Sequence, residues 1–357
     1  MNSIPKNNFT RIFNGKTTPE EFSRLYPAIT SDKKKSIARF RPWSWFIELT
    51  HGCNLSCGFC AARLIPKSNT QTMTLETWKQ AIDIISKVSP IGRIDMANLG
   101  EPTLNPHIYD MFSYAKEKCP TIQLLMYTNG LKLIDGSVTY AKLFDSGLNM
   151  VFLDMYHPKE RHMKLVLDSG YNYIDQDHPK DTDINPFEYQ KDNFHHCIYV
   201  GHNPGDWPKK KQRRWQTWLN NLDWSAAKKF GLSPVVVAPH RRCDQPFKYA
   251  NIYHDGAYAL CCQDGMREVA GTLGNVSDGV SGFFKFWLGE YMQGSRRMLD
   301  NKDRVGHDLC KRCKMADGRC DVPMWRDRDD MKGLTENKLL DYFWDGEKWN
   351  KLEPYGK

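Results

Sequence analysis

No run of apolar residues in this chain approaches the ~18 that a membrane-crossing helix needs, and the mean hydropathy is −0.62. The opening stretch, Met1 to Arg11, lacks the apolar core of a secretory signal. No internal repeat or low-complexity tract interrupts the 357 residues. These absences exclude a helical membrane protein and a fibrous chain, and make the cytoplasm the expected location. They also change how the eleven cysteines are read. In a small secreted domain such a number points to disulfides. In a long chain without a signal it points to metal in a reducing compartment.

Charge is not extreme: the formal balance is +8. Local basic runs are more pronounced, at Lys33-Lys34-Lys35, Lys209 to Arg214 and Arg241-Arg242. A solvated helix face is the ordinary meaning of such runs. With Trp207, Trp215, Trp218 and Trp224 interleaved, stacking on bases and contact with phosphate are a second meaning, so a nucleotide or DNA partner stays open.

Apolar patterning sets the architecture. Trp43 to Leu49 reads as a strand and Leu75 to Val88 as a helix, with Trp78, Ile82, Ile85 and Val88 at helical spacing. Strand and helix then alternate: Ile94 to Leu99, Ile108 to Lys118, Gln123 to Tyr127, Val138 to Asp145, Met150 to Leu153. After Asp154 the pattern loosens. Helix is expected over Lys159 to Leu167 and Gln212 to Phe230, and strands over Tyr171 to Ile174, Cys197 to Val200 and Pro234 to Ala238. Repeated βα units predict an α/β fold with a parallel sheet, closed part-way into a (β/α)6 TIM-like barrel. Working loops then sit at the strand C-termini.

The first such loop is Thr50-His51-Gly52-Cys53-Asn54-Leu55-Ser56-Cys57-Gly58-Phe59-Cys60. Its three cysteines have C-x3-C-x2-C spacing. Structural zinc is one reading, but zinc usually takes ligands in pairs and wants a fourth. A cubane iron–sulfur cluster also takes four, so a loop giving three leaves one iron open. The spacing resembles that of the radical S-adenosylmethionine (SAM) superfamily. The resemblance implies a [4Fe–4S] cluster on Cys53, Cys57 and Cys60, with SAM chelated at the open iron and cleaved on reduction to a 5′-deoxyadenosyl radical. That radical takes a hydrogen atom from substrate. Phe59 matches an aromatic placed near the SAM adenine.

Further features fall at the places the resemblance expects. Asn98-Leu99-Gly100-Glu101-Pro102 follows the second strand and is similar to the family's G-G-E-P element, with Leu99 replacing the first glycine. It implies that Gly100, Glu101 and Pro102 help to hold the SAM amino group. Thr128-Asn129-Gly130 ends the third strand and matches another element near the cofactor. Asp154, Tyr156 and His157 follow the next strand and are candidates for the pocket. His195, His196 and His240 could be ligands, although such histidines more often lie at the surface or cap helices.

A second cysteine set begins at Cys243 and continues with Gly256, Cys261-Cys262, Cys310-Lys311-Arg312-Cys313 and Cys320. It resembles the auxiliary-cluster region called SPASM or, when shortened, twitch; Leu273 to Val276 and Phe286-Trp287 match its "GN…W" run. The resemblance implies a second [4Fe–4S] cluster on Cys243, Cys261, Cys310 and Cys313, with Cys262 able to replace its neighbour. A zinc ribbon on the same four is the alternative. Asp255-Gly256 predicts a hairpin turn that delivers Cys261. Cys320 has no evident partner set, and Cys119 and Cys197 are expected to carry no metal.

The expected organisation is an N-terminal extension over 1–40, too short for a separate peptide-recognition domain, a partial barrel over 41–240, a SPASM or twitch domain over 241–330 and a tail over 331–357. The expected chemistry is that of a radical SAM enzyme acting on a peptide or protein side chain, or on a small molecule. A flavodoxin- or ferredoxin-type one-electron reductant would supply it. Radical modification of a nucleotide or DNA base is the alternative substrate class. A non-catalytic iron–sulfur or zinc scaffold for nucleic acid is the alternative of a different kind.

Overall fold

The structure is a computed structural model. It describes residues 42, 44–57, 60–90, 92–155, 159–175, 196–202, 243, 245–265, 267, 273–301, 303–304, 306–307, 309–313, 342–345 and 349–351. Outside them lie the N-terminal extension, the basic and tryptophan-rich segment with its expected helix, the 234–238 strand, Phe59, Tyr156, His157, His195, His240 and Cys320.

The elements that position the site are built in chain order. β1 is Ser44–Ile47, and the short β2 (Thr50–His51) pairs antiparallel with β3 (Gln71–Thr72). α1 (Leu75–Val88) starts at Thr74, whose hydroxyl accepts from the Thr77 N–H at 3.1 Å. It buries Trp78, Ala81, Ile82, Ile85 and Val88, the stripe its spacing predicts. β4 (Arg93–Met96), α2 (Ile108–Lys118), β5 (Gln123–Thr128), α3 (Leu131–Ile134), α4 (Tyr140–Asp145) and β6 (Met150–Met155) follow. Beyond them are α5 (Lys159–Asp168), β7 (Asn172–Asp175), β8 (Cys197–His202), α6 (Gln245–Lys248), β9 (Tyr249–Ile252) and β10 (Tyr258–Ala259). α7 (Gly279–Trp287) and α8 (Glu290–Asp300) complete the site's frame.

Among the described residues the main sheet runs β10-β9-β1-β4-β5-β6-β8-β7. All its pairings are parallel except β10 with β9. This is the α/β, barrel-like architecture expected, with two refinements. β8 lies between β6 and β7, although β7 comes first in the chain. Burial explains the order: Cys197, Ile198 and Val200 are buried, whereas Asn172 and Tyr173 of β7 are exposed, as an edge strand allows. The sheet also continues past residue 240, because β9 pairs with β1 from Ser44↔Tyr249 to Ile47↔Ile252.

The two faces of the sheet differ in kind. Trp45, Ile47, Ile94, Met96, Leu124, Met126, Val151 and Leu153 join one large core with the helices. The opposite face carries a second cluster of Leu125, Met150, Phe152, Ile174 and Cys197, flanked by Tyr127 and Tyr199. Tyr127 stacks on Phe152 with centroids 4.4 Å apart, and Phe152 meets Tyr199 at 4.8 Å. Among the described residues this face is therefore aromatic. It also bears the buried pair Arg93 Nε to Asp95 Oδ2 at 2.8 Å. Among the described residues, no helix is long and apolar enough to cross a membrane.

Candidate active site

The first cysteine loop leaves the C-terminal end of β1 and is shaped by its own backbone. Cys60 N–H bonds to Cys57 C=O at 3.1 Å, and Leu55 N–H points at Cys53 Sγ at 3.4 Å. Cys53, Cys57 and Cys60 are all half-buried free thiols. Burial raises each, Cys53 and Cys57 to about 11, and repulsion from the neighbouring thiols adds to the rise of those two. Asp154 pushes Cys57 and Cys60 further in the same direction. As bare thiols the three are crowded and hard to ionise. A cationic metal centre reverses that balance, because a coordinating thiol loses its proton outright. The donor set thus fits an iron–sulfur cluster.

Gly52 anchors this loop to the next one. Gly52 N–H donates to Leu99 C=O and Glu101 N–H donates to Gly52 C=O, both at 3.1 Å. A Cβ on Gly100 would lie 1.5 Å from the Thr50 carbonyl oxygen, so only glycine permits this approach. Asn98, just before, holds φ at 120°, a conformation few non-glycine residues adopt.

Glu101, expected to face the SAM amino group, directs its carboxylate into the chain. Oε1 accepts from Thr103 N–H (3.1 Å), Thr103 Oγ1 (2.6 Å) and Thr128 Oγ1 (2.7 Å); Oε2 accepts from Asn129 N–H at 2.8 Å. Burial raises its pKa and these donors oppose the rise. Pro102, buried at the first position of a short helical turn, leaves no N–H to satisfy. Glu101 therefore ties the Gly-Glu-Pro turn to the Thr-Asn-Gly turn.

Asn129 then reaches the cysteine loop. Its Nδ2 donates to Asn54 Oδ1 at 2.8 Å and lies 3.5 Å from Cys53 Sγ. Gly130 is left-handed at φ 72°, and the buried His162 Nε2 is 2.9 Å from the Asn129 carbonyl oxygen. Sequence reasoning passed over His162, whose only signal is a lone histidine on a helix. The three separate motifs thus meet at one edge of the sheet.

The second cysteine set also converges. Cys261, Cys310 and Cys313 are buried and Cys243 is half-buried. Burial raises Cys261 and Cys310, and the charges of the neighbouring thiols add to it. Cys261 feels Cys310, Cys313 and Cys243, whereas Cys262 feels Cys243 and the barrel residue Asp95. The expected turn at Asp255-Gly256 is present, with Gly256 at φ 84°. The "GN" pair clasps it: Tyr258 N–H bonds to Gly274 C=O at 3.0 Å and Asn275 Nδ2 to Asp255 C=O at 2.9 Å. Cys119 caps the C-terminus of α2 and Cys197 opens β8, and both are buried.

The family comparisons agree with this division. Residues 47–175 match the radical SAM superfamily and residues 243–314 match the SPASM iron–sulfur cluster-binding domain. This chain is a radical SAM enzyme with a C-terminal SPASM domain. The first domain takes a [4Fe–4S] cluster and SAM, and the second an auxiliary iron–sulfur cluster. Among solved structures it is similar to BtrN in complex with AdoMet and 2-DOIA: 18% identity, TM-score 0.52, 76% of this chain and 92% of that one. BtrN in an open conformation matches with 17% identity and a TM-score of 0.50, over the same shares of both chains. Streptococcus suis SuiB bound to precursor peptide SuiA is more distant, with 11% identity, a TM-score of 0.40, 78% of this chain and 71% of that one. No curated protein matches the sequence.

Proposed function

We propose that this radical SAM enzyme abstracts a hydrogen atom from a substrate seated on the aromatic face of the sheet. The substrate is a peptide or protein side chain or a small molecule. The observation that carries the reading is the convergence of Cys53, Cys57 and Cys60 with Asn129 and Asp154 at the strand ends that border this face. When bound there, the cluster and SAM together supply a 5′-deoxyadenosyl radical once a flavodoxin- or ferredoxin-type protein delivers an electron.

The chain's own residues do the positioning. Cys53, Cys57 and Cys60 hold the cluster and leave one iron open. Gly100, Glu101 and Pro102 shape the edge that meets the SAM amino group, with Glu101 acting through the turns it joins. Thr128 and Asn129 fix the cysteine loop, while Asp154 offers a carboxylate beside the two later cysteines. Phe59 is assigned to the adenine by its place in the motif. Tyr127, Phe152 and Tyr199 form an apolar wall that keeps water and stray hydrogen donors away from a radical. Cys243, Cys261, Cys310 and Cys313 close the second cluster as [4Fe–4S]. Four thiolates leave it no open iron, which favours electron transfer or structure over binding substrate.

The test is turnover with candidate peptide and small-molecule pools deuterated at C–H bonds. Deuterium appearing in 5′-deoxyadenosine identifies the donor class. SAM cleavage without transfer from any pool would overturn the assignment of substrate.

A further inference from the structure

Two contacts join the SPASM segment to the SAM-binding edge, and neither belongs to the cysteine motifs. The first centres on Glu48, which is buried at the end of β1. His51 Nδ1 lies 3.1 Å from its Oε1, and His254 Nδ1 lies 3.1 Å from its Oε2. The imidazoles stack with centroids 5.2 Å apart, and His254 Nε2 is 2.7 Å from Gln71 Oε1. His254 comes from the β9–β10 turn, whereas His51 precedes Gly52 and Cys53. Burial works to raise the Glu48 pKa, but the two imidazoles prevail and hold it below the usual carboxylate range. A buried carboxylate bonded on both oxygens fixes the direction of both partners.

The second contact concerns the departure in the G-G-E-P element. Leu99 occupies the first glycine position and is buried. Opposite it stands Gly265, where a Cβ would come within 2.8 Å of Leu99 Cδ1 and 3.3 Å of Asn98 Oδ1. The bulk added in one domain is matched by a side chain removed in the other. Leu99 C=O accepts the Gly52 N–H, so both contacts meet on the same backbone pair.

We propose that His254 and Gly265 of the SPASM segment are positioning residues for the SAM site, so that docking of this segment sets how tightly the cofactor is held. The inference rests on the radical SAM reading of the first cysteine loop. It assigns the segment a mechanical role that does not depend on the redox state of its cluster.

The test uses the full chain with both clusters reconstituted. It reads metal content, SAM affinity and the SAM-induced change in the electron paramagnetic resonance (EPR) spectrum of the reduced catalytic cluster. His254→Ala is expected to keep wild-type iron and to weaken SAM binding about tenfold, the scale of one hydrogen bond to a buried charge. His254→Asn, which restores an N–H donor, recovers most of that loss. Gly265→Ala, which leaves Glu48 alone, weakens SAM binding by about threefold, since only the tip of Leu99 must move. Wild-type affinity and spectra in His254→Ala and Gly265→Ala would overturn the coupling while leaving the SAM site intact. Stoichiometric zinc or extra iron, lost in both His254 variants, would overturn it by showing a metal site on Glu48, His51 and His254. A wild-type chain whose spectrum ignores SAM removes the radical SAM reading itself. If His254→Ala fails to fold, His254→Asn and Gly265→Ala decide the matter.

Discussion

The two cysteine sets are built oppositely. The set proposed as catalytic is local: three half-buried thiols within one loop, bordered by the carboxylates Glu101 and Asp154. The set proposed as auxiliary is assembled from residues as far apart as Cys243 and Cys313, three of its four thiols are buried, and the buried Arg304 acts on one of them. Arg304 lowers the Cys310 thiol against the effect of burial. On the proposed ligand sets, the Asp154 carboxylate beside a three-thiolate cluster suits a cationic cofactor that must come and go. A cation near a four-thiolate cluster offsets its negative charge and makes it easier to reduce. On that proposal one site exchanges a ligand and the other stays closed.

Breaking the open site has the largest expected effect. Cys57→Ala should abolish 5′-deoxyadenosine formation while about four iron per chain remain from the auxiliary cluster, against about eight in the wild type, by anaerobic iron counting. Gly100→Ala should be nearly as severe, since its Cβ would collide with backbone rather than with a movable side chain. A loss of about 4 kcal/mol in denaturant unfolding is expected.

Breaking the closed site acts elsewhere. Cys310→Ala should remove the auxiliary iron yet leave the catalytic cluster's spectrum recognisable; about four iron plus one zinc in the wild type would mean the second set is a zinc site. Arg304→Met sharpens the comparison further. It keeps both clusters and should lower the auxiliary midpoint potential in a redox titration, without moving the catalytic one. The smallest effect is expected for Cys262→Ser, with iron content unchanged. Loss of the auxiliary cluster in that variant would exchange the roles of Cys261 and Cys262.

Local features of this molecule were legible in the sequence and distant ones were not. The apolar spacing of Trp78, Ile82, Ile85 and Val88 marked α1 because a helix's buried stripe repeats every turn. The cysteine loop was legible because its ligands lie within one turn of chain, and the Asp255-Gly256 hairpin because only such residues make that turn. The place of β8 inside β7 was hidden, since pairing order depends on which strand buries both faces. The patterning predicts helix from Val138 to Asp145, whereas α4 begins at Tyr140, where the Thr139 hydroxyl caps it by accepting from Lys142 N–H at 3.3 Å. Glu48 and His254 are 206 residues apart, and neither carries a motif. Glu101 was visible as part of a Gly-Glu-Pro turn, but the inward direction of its carboxylate needed Thr103, Thr128 and Asn129 around it.

The central claim is that the amino-terminal loop leaves an iron corner open for SAM, and EPR of the anaerobically reduced chain with and without SAM tests it most directly. The catalytic cluster's signal should change on adding SAM in the wild type and again in Cys310→Ala, which lacks the auxiliary signal. Superimposable spectra in both would contradict the claim.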